Sequence, residues 1–218
     1  MKSAILFGST GLVGNHLLNL LIQNDQYSKI RIFTRKEISN KNPKLEVHII
    51  DFDQIKDYAS LISGNDCFFS IGTTKKQTPD KMNYINIEYE LPVKIAKIAK
   101  KNNVESFVYV SSGGANENSK NLYLQNKGRA EREIIKQSFN FTAIIQPSLL
   151  LGYRNETRLG ESIAQFIFKK LSFLFIGKLR PFKAIPAIDV AKSIMRIIKN
   201  KNTGIYFTSD KLEDFAKL

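Results

Sequence analysis

The stretch "AILFGSTGLVGNHLLNLL", residues 4–21, sets Gly8, Gly11 and Gly14 three apart, between an apolar run and a leucine-rich helical pattern. Few arrangements constrain a chain more. Glycine lets the backbone turn sharply, removes the β-carbon that would block a close approach, and leaves the amides of a helix N-terminus open to an anion. A strand leading in, and an amphipathic helix leading out from near Leu12, make this an expected cradle for a dinucleotide pyrophosphate. The spacing Gly-x-x-Gly-x-x-Gly differs from the Gly-x-Gly-x-x-Gly of ordinary dehydrogenases.

Downstream, short β-branched or aromatic runs alternate with longer helical patterns. Strands are expected at 3–8, 29–35, 45–51, 66–72, 106–112, 141–148 and 204–209, and helices at 12–24, 54–62, 83–101, 122–138, 160–170 and 188–199. This alternation predicts an α/β fold, a Rossmann-type doubly wound parallel sheet with helices on both faces. The 218 residues fit a single domain, 1–218. The pattern thins after about residue 149. Ligands of open α/β sheets bind beyond the carboxyl ends of the strands, so 149–187 is expected to form a small C-terminal segment covering the substrate side.

Charge narrows the partners. Lys and Arg number 33 against 20 acidic residues, a net charge of +13 that would suit anionic partners such as phosphorylated cofactors, nucleic acid or an acidic membrane surface, though most of it reads as solvated surface. The lysines are spread along the chain, with only pairs such as Lys75-Lys76, Lys100-Lys101 and Lys169-Lys170, so no nucleic-acid partner is expected. No apolar run reaches 18 residues, which argues against an integral membrane span. No secretory leader precedes the first strand, and a cytoplasmic location is the expectation. Cys67, the single cysteine, lies within an apolar run and reads as a small buried hydrophobe. Two histidines and one cysteine offer no cluster with metal-ligand spacing.

The second strand chooses between cofactors. Where an acidic residue would bind a ribose 2′-hydroxyl, the chain has Thr34, Arg35 and Lys36. A guanidinium there pairs with a 2′-phosphate and a carboxylate would repel it, so NADP(H) is expected over NAD(H). Asp51, ending the third strand, reads either as an acceptor for the adenine amino group or as a turn or cap residue.

Tyr123 and Lys127 stand four apart in "NLYLQNKGRAEREI" and share one helix face. An ammonium beside a phenol favours the phenolate and prepares it for proton exchange with a carbonyl oxygen. Chance supplies such a pair in a chain this rich in lysine, so its position carries the argument. It opens the helix after the fifth strand, which ends in Ser111 and Ser112, hydroxyls suited to orienting a substrate carbonyl.

With these residues in order, the blocks "FGSTGLVG", "FTRK", "IGTT", "IN.EY.LPV.IAKIAK", "VYVSSGGAN", "YLQNKGRAE", "QPSLLLG" and "AIPAIDVAK" resemble the atypical short-chain dehydrogenases/reductases, in the group of the Tat-interacting proteins. The resemblance covers nearly the whole chain and implies NADPH binding. By that likeness Thr10, Gly11, Leu12 and Val13 lie along the pyrophosphate and Gly72 and Thr73 approach the ribose. Tyr123 and Lys127 then meet the nicotinamide, and Pro147 and Ser148 its carboxamide side. Ser9 in the turn, Phe52 beside Asp51 and Ile71 beside Gly72 complete the expected cofactor set. One departure is Gln146, which stands where an arginine commonly precedes the proline.

The expected activity is reduction of a small carbonyl compound, with Tyr123 as proton donor, Lys127 as its tuner and ribose anchor, and Ser112 or Ser111 orienting the substrate. The alternative is a non-catalytic, NADPH-responsive regulatory or scaffold protein. In 164–183 aromatic residues alternate with lysines, as on an interfacial helix. The reading preferred here packs Phe166, Phe168, Phe173 and Phe175 onto the domain, or onto a second subunit of a homodimer.

Overall fold

The computed structural model describes residues 1–152, 177–201 and 204–218. The central strands carry short apolar runs, whereas β2 and β3 mix apolar with charged residues. The strands are β1 (Lys2–Phe7), β2 (Tyr27–Thr34), β3 (Leu45–Ile49), β4 (Asp66–Phe69), β5 (Ser106–Val110), β6 (Phe141–Gln146), β7 (Leu150–Leu151), β8 (Ile185–Pro186) and β9 (Tyr206–Thr208). Seven of them form one sheet in the order β3-β2-β1-β4-β5-β6-β9, with β7 and β8 pairing separately. Every neighbouring pair is parallel. The strand order reverses beside β1, so a crevice opens between the carboxyl ends of β1 and β4, where Phe7 pairs with Phe69.

Helices α1 (Leu12–Gln23), α2 (Lys81–Ile85), α3 (Leu91–Lys101), α4 (Leu122–Ile135), α5 (Ala187–Asn200) and α6 (Ser209–Lys217) cover both faces. Alternation along β1 feeds two cores. Ala4 and Leu6 pack with Leu17 and Leu21 of α1 and with Val190 and Ile194 of α5. Ile5 and Phe7 pack with Ile95 and Ala99 of α3 and with Ala130 and Ile134 of α4. Strands covered on both sides need apolar residues on both faces, which is why Ala4–Phe7 of β1 and Cys67–Phe69 of β4 read as unbroken runs. Cys67 is one of these buried residues, and burial pushes its thiol well above the ordinary range.

The expected sheet and its main helices are present, with four differences. The helix expected over 83–101 starts at Lys81 and widens into a π turn over Asn86–Glu90. Pro92 explains the widening: it has no N–H for the Glu88 carbonyl, and its ring would strike that oxygen. The segment expected as helix 54–62 is a 3-10 helix over Phe52–Leu61. Helix α6 and the β7–β8 pair were not expected, and the two-residue strands of that pair are too short for periodicity to register. Helix 160–170, with Phe166, Phe168, Phe173 and Phe175, lies outside the described residues, as does much of 149–187. Among the described residues no helix is long and apolar enough to cross a membrane.

Candidate active site

The glycine turn closes on itself. Gly8 has φ +87°, a conformation side chains resist, and a β-carbon there would meet the Ser70 carbonyl carbon at 2.8 Å. The Gly11 N–H donates to the Gly8 carbonyl at 3.0 Å. Gly14 is tighter still, since a β-carbon would fall 2.0 Å from the Gly8 oxygen. The first turn of α1 therefore sits directly on the end of β1. Gly11 is its N-cap and brings no side chain, and no acidic residue occupies that first turn. The amides of Leu12, Val13 and Gly14 thus lack intrahelical acceptors and repelling neighbours. Thr10 and Gly11 are exposed, whereas the Ser9 hydroxyl is buried without a hydrogen-bond partner among the described residues. A pyrophosphate fits such a cradle, with backbone amides and the helix dipole facing it.

Neighbouring strand ends border the crevice. Thr34 Oγ1 donates to the Lys36 carbonyl at 3.0 Å and accepts from the Lys36 N–H at 3.3 Å, shaping the turn after β2. Arg35 and Lys36 are exposed and make no ion pair among the described residues. Asp51 accepts from the Asp53 N–H at 2.9 Å and so caps the 3-10 helix, the second of its two expected roles. Phe52 lays its ring 6.3 Å from that of Phe7. Ser70, which sequence reasoning missed, donates to the Phe7 carbonyl at 2.9 Å and locks the end of β4 to the glycine turn. Ile71, Gly72 and Thr73 continue from it.

Across the crevice, α4 is capped by Asn121, whose side chain accepts from the amides of Tyr123 and Leu124 at 2.9 and 3.3 Å. The cap fixes Tyr123 in the first turn, with Lys127 one turn deeper. Lys127 Nζ lies 5.9 Å from the Tyr123 ring centroid and 5.0 Å from that of Tyr109. It also lies 2.9 Å from Glu88 Oε2, and both side chains are buried. Glu88 Oε1 accepts from the Thr73 N–H at 2.5 Å. Gly72 borders the pair, since a β-carbon would lie 3.5 Å from Glu88 and 3.8 Å from Lys127 Nζ. Burial alone would lower the affinity of Lys127 for its proton. Tyr109, Glu88 and Tyr123 outweigh burial and hold the ammonium well above its ordinary range. Tyr84, buried beside them, is pushed up to about 12 by burial and then by Glu88 and Tyr123.

The two serines differ. Ser111 is buried and donates to Glu131 Oε1. Gln146 Nε2 donates to both oxygens of the same carboxylate. Burial raises the Glu131 carboxyl above the ordinary range, against the lowering effects of Ser111, Gln146 and Lys127. Among the described residues Ser112 reaches only the Gly113 carbonyl, at 3.3 Å, so its hydroxyl is the freer one there. Beyond β6, the Gly113 N–H donates to the Pro147 carbonyl at 2.8 Å. The Ser148 hydroxyl donates to Phe182 O at 2.7 Å.

The crevice thus gathers Gly8–Gly14, Gly72, Thr73, Tyr123 and Lys127 around strand ends and turns, while Ser111 and Ser148 turn their hydroxyls to protein partners. Glu88 and Glu131 were missed as site residues. Each carried a signal: Glu88 falls four residues after Tyr84 on the apolar stripe, and Glu131 falls four after Lys127.

The model of a family described as NAD(P)H-binding matches residues 8–201. The chain belongs to that NAD(P)H-binding family. Among curated proteins it is 35% identical over 197 residues to "Protein FMP52, mitochondrial" of Debaryomyces hansenii, covering 87% of this chain and 84% of that protein. It is 26% identical over 207 residues to HTATIP2 of Rattus norvegicus, covering 93% and 84%. The atypical short-chain dehydrogenase/reductase assignment holds on these grounds. Among solved structures, WbmH of Bordetella bronchiseptica, in complex with NAD+, superposes with a TM-score of 0.70 at 18% identity, covering 96% of this chain and 76% of that one. The ADP-L-glycero-D-manno-heptose-6-epimerase of Helicobacter pylori gives 0.71 at 16% identity, covering 95% and 76%. These two likenesses establish the Rossmann-type fold. The expected cytoplasmic location is corrected: the FMP52 relatives are named mitochondrial, which points away from the cytoplasm. An unremarkable first strand was too weak a basis for that expectation.

Proposed function

We propose that the chain is an NADPH-dependent reductase of a small carbonyl compound. The observation that carries this reading is Lys127, buried 5.9 Å from the Tyr123 ring and joined through Glu88 to the Thr73 amide. When bound along this cradle, NADPH would supply the hydride for the carbonyl carbon. Tyr123 gives its phenolic proton to the carbonyl oxygen as charge develops there, and Lys127 holds a positive charge beside it. Ser112, whose hydroxyl has only a weak contact among the described residues, orients the substrate. The cofactor would lie along Thr10–Gly14, with the ribose near Gly72 and Thr73 and the carboxamide near Pro147 and Ser148. The preference for NADPH is supported by Arg35, exposed and without an ion pair among the described residues. NADPH oxidation across a panel of aldehydes and ketones, with Tyr123→Phe as control, tests the reading. Rates unchanged by that substitution would remove the tyrosine from the mechanism.

A second reading has one observation behind it. The hydroxyls of Ser111 and Ser148 are both held by protein partners, which leaves fewer groups for a substrate. In that reading the chain binds NADPH and reports its presence to a partner without turnover. Tight NADPH binding combined with no oxidation across the panel would favour it. The names of the FMP52 relatives support action in mitochondria, which fractionation of cells expressing the tagged chain tests.

A further inference from the structure

We propose that Glu88 is the positioning residue for Lys127: its carboxylate pins the ammonium below Tyr123 and ties it, through the Thr73 amide, to the loop after β4. The tie itself is independent of any reaction. Only the use of Lys127 toward a cofactor rests on the reading above.

A buried ammonium needs an opposite charge close by, because desolvation otherwise outweighs what the interior returns. The groups facing Lys127 come from four elements: Tyr109 from β5, Tyr84 from α2, Glu88 from the π turn, and Tyr123 and Glu131 from its own helix. Tyr84, Tyr109 and Tyr123 bring phenols, and Glu131 is engaged by Ser111 and Gln146. Glu88 alone among them sets a carboxylate oxygen at ion-pair distance, 2.9 Å. Its other oxygen is used as well, accepting from Thr73 N–H at 2.5 Å. One fully buried carboxylate therefore joins two separate parts of the crevice, the β4 loop and the α4 lysine. The π turn presents it there, and such turns recur at functional sites because they redirect a side chain within a helix.

Removing the charge changes which state binds protons. In the unchanged chain the folded-state value of Lys127 lies above the unfolded one. Its contribution to stability is then complete below about pH 10.4 and lost only as pH rises through the folded value. Glu88→Gln keeps an acceptor for the Thr73 amide but leaves the ammonium unpaired, so burial drives its folded value below the unfolded one. Between those two values the unfolded chain holds the extra proton, and stability rises with pH.

The test is the melting temperature of the cofactor-free chain from about pH 7 to about pH 10, compared with Glu88→Gln and with Glu88→Gln/Lys127→Met. Glu88→Gln should melt lower at neutral pH and climb toward the unchanged chain as pH rises, and the double variant should show no such climb. Affinity for NADPH supplies a second readout: across the same window it should fall about tenfold in Glu88→Gln and hold in the unchanged chain. Parallel melting curves for Glu88→Gln and the unchanged chain would overturn the proposal. If Glu88→Gln does not fold, recovery of folding in the double variant supports the proposal, because the unpaired charge is gone. Failure of both variants assigns Glu88 to packing and overturns it. Neither readout involves turnover, so a chain that binds NADPH and reduces nothing removes the proposed reaction and leaves the role of Glu88 in place.

Discussion

Gln146 Nε2 lies 3.0 and 3.1 Å from the two carboxylate oxygens of Glu131, so a buried acid on α4 is answered by a neutral amide from the end of β6. Ser111 completes the set without adding charge. Three hydrogen bonds stabilise the carboxylate, yet burial prevails and its affinity for a proton is raised.

A direction of pH dependence follows. The folded state keeps a proton on Glu131 at pH values where the unfolded chain has lost it. This group therefore contributes most stability below the ordinary glutamate value, about pH 4.3, and less as pH rises through the folded value. Glu131→Gln should raise the melting temperature at neutral pH and leave it unchanged in acid. Gln146→Leu, which strips two hydrogen bonds from the buried carboxylate, should cost about 2 kcal/mol in denaturant unfolding at neutral pH. A Glu131→Gln variant that melts lower at neutral pH would contradict this account.

The glycine turn should not tolerate a methyl group. In Gly14→Ala the new carbon would fall 2.0 Å from the Gly8 carbonyl oxygen, a backbone atom that cannot swing aside. The cost should be about 3 kcal/mol in denaturant unfolding, with cofactor affinity lost as α1 lifts from the end of β1. A methyl tolerated without either effect would mean that the turn is looser than its geometry.

Cofactor preference rests on Arg35. Arg35→Ala should weaken NADPH binding about tenfold, the size of one charge-assisted contact to a 2′-phosphate, and leave NADH binding unchanged. Titration of both cofactors into both proteins measures it. Equal affinities in the unchanged chain would remove the preference.

The parts of the molecule legible in sequence were those written in local pattern. β1, β4 and β5 are apolar on both faces and announce themselves, and the spacing of Gly8, Gly11 and Gly14 admits few uses. Tyr123 and Lys127 were visible as a pair because a four-residue step on a helix is a contact. Their environment was not visible. Glu88 lies far from Lys127 along the chain, and a glutamate in a helix is ordinarily solvated, so its burial comes from tertiary packing around Pro92 and the π turn. Ser111 and Ser112 were indistinguishable in sequence. They part only because successive strand-end residues point to opposite faces, and Ser111 is the one that meets Glu131. The location was misread for a different reason: it is not encoded in the physics of the fold.

The most direct measurement follows the hydride itself. NADPH carrying deuterium at the transferable position is incubated with the chain and an aldehyde or ketone panel, and the alcohol products are analysed by mass spectrometry. The account predicts one deuterium on the carbinol carbon of at least one product, lost in Tyr123→Phe while NADPH affinity is retained. NADPH bound tightly with no label in any product would contradict it.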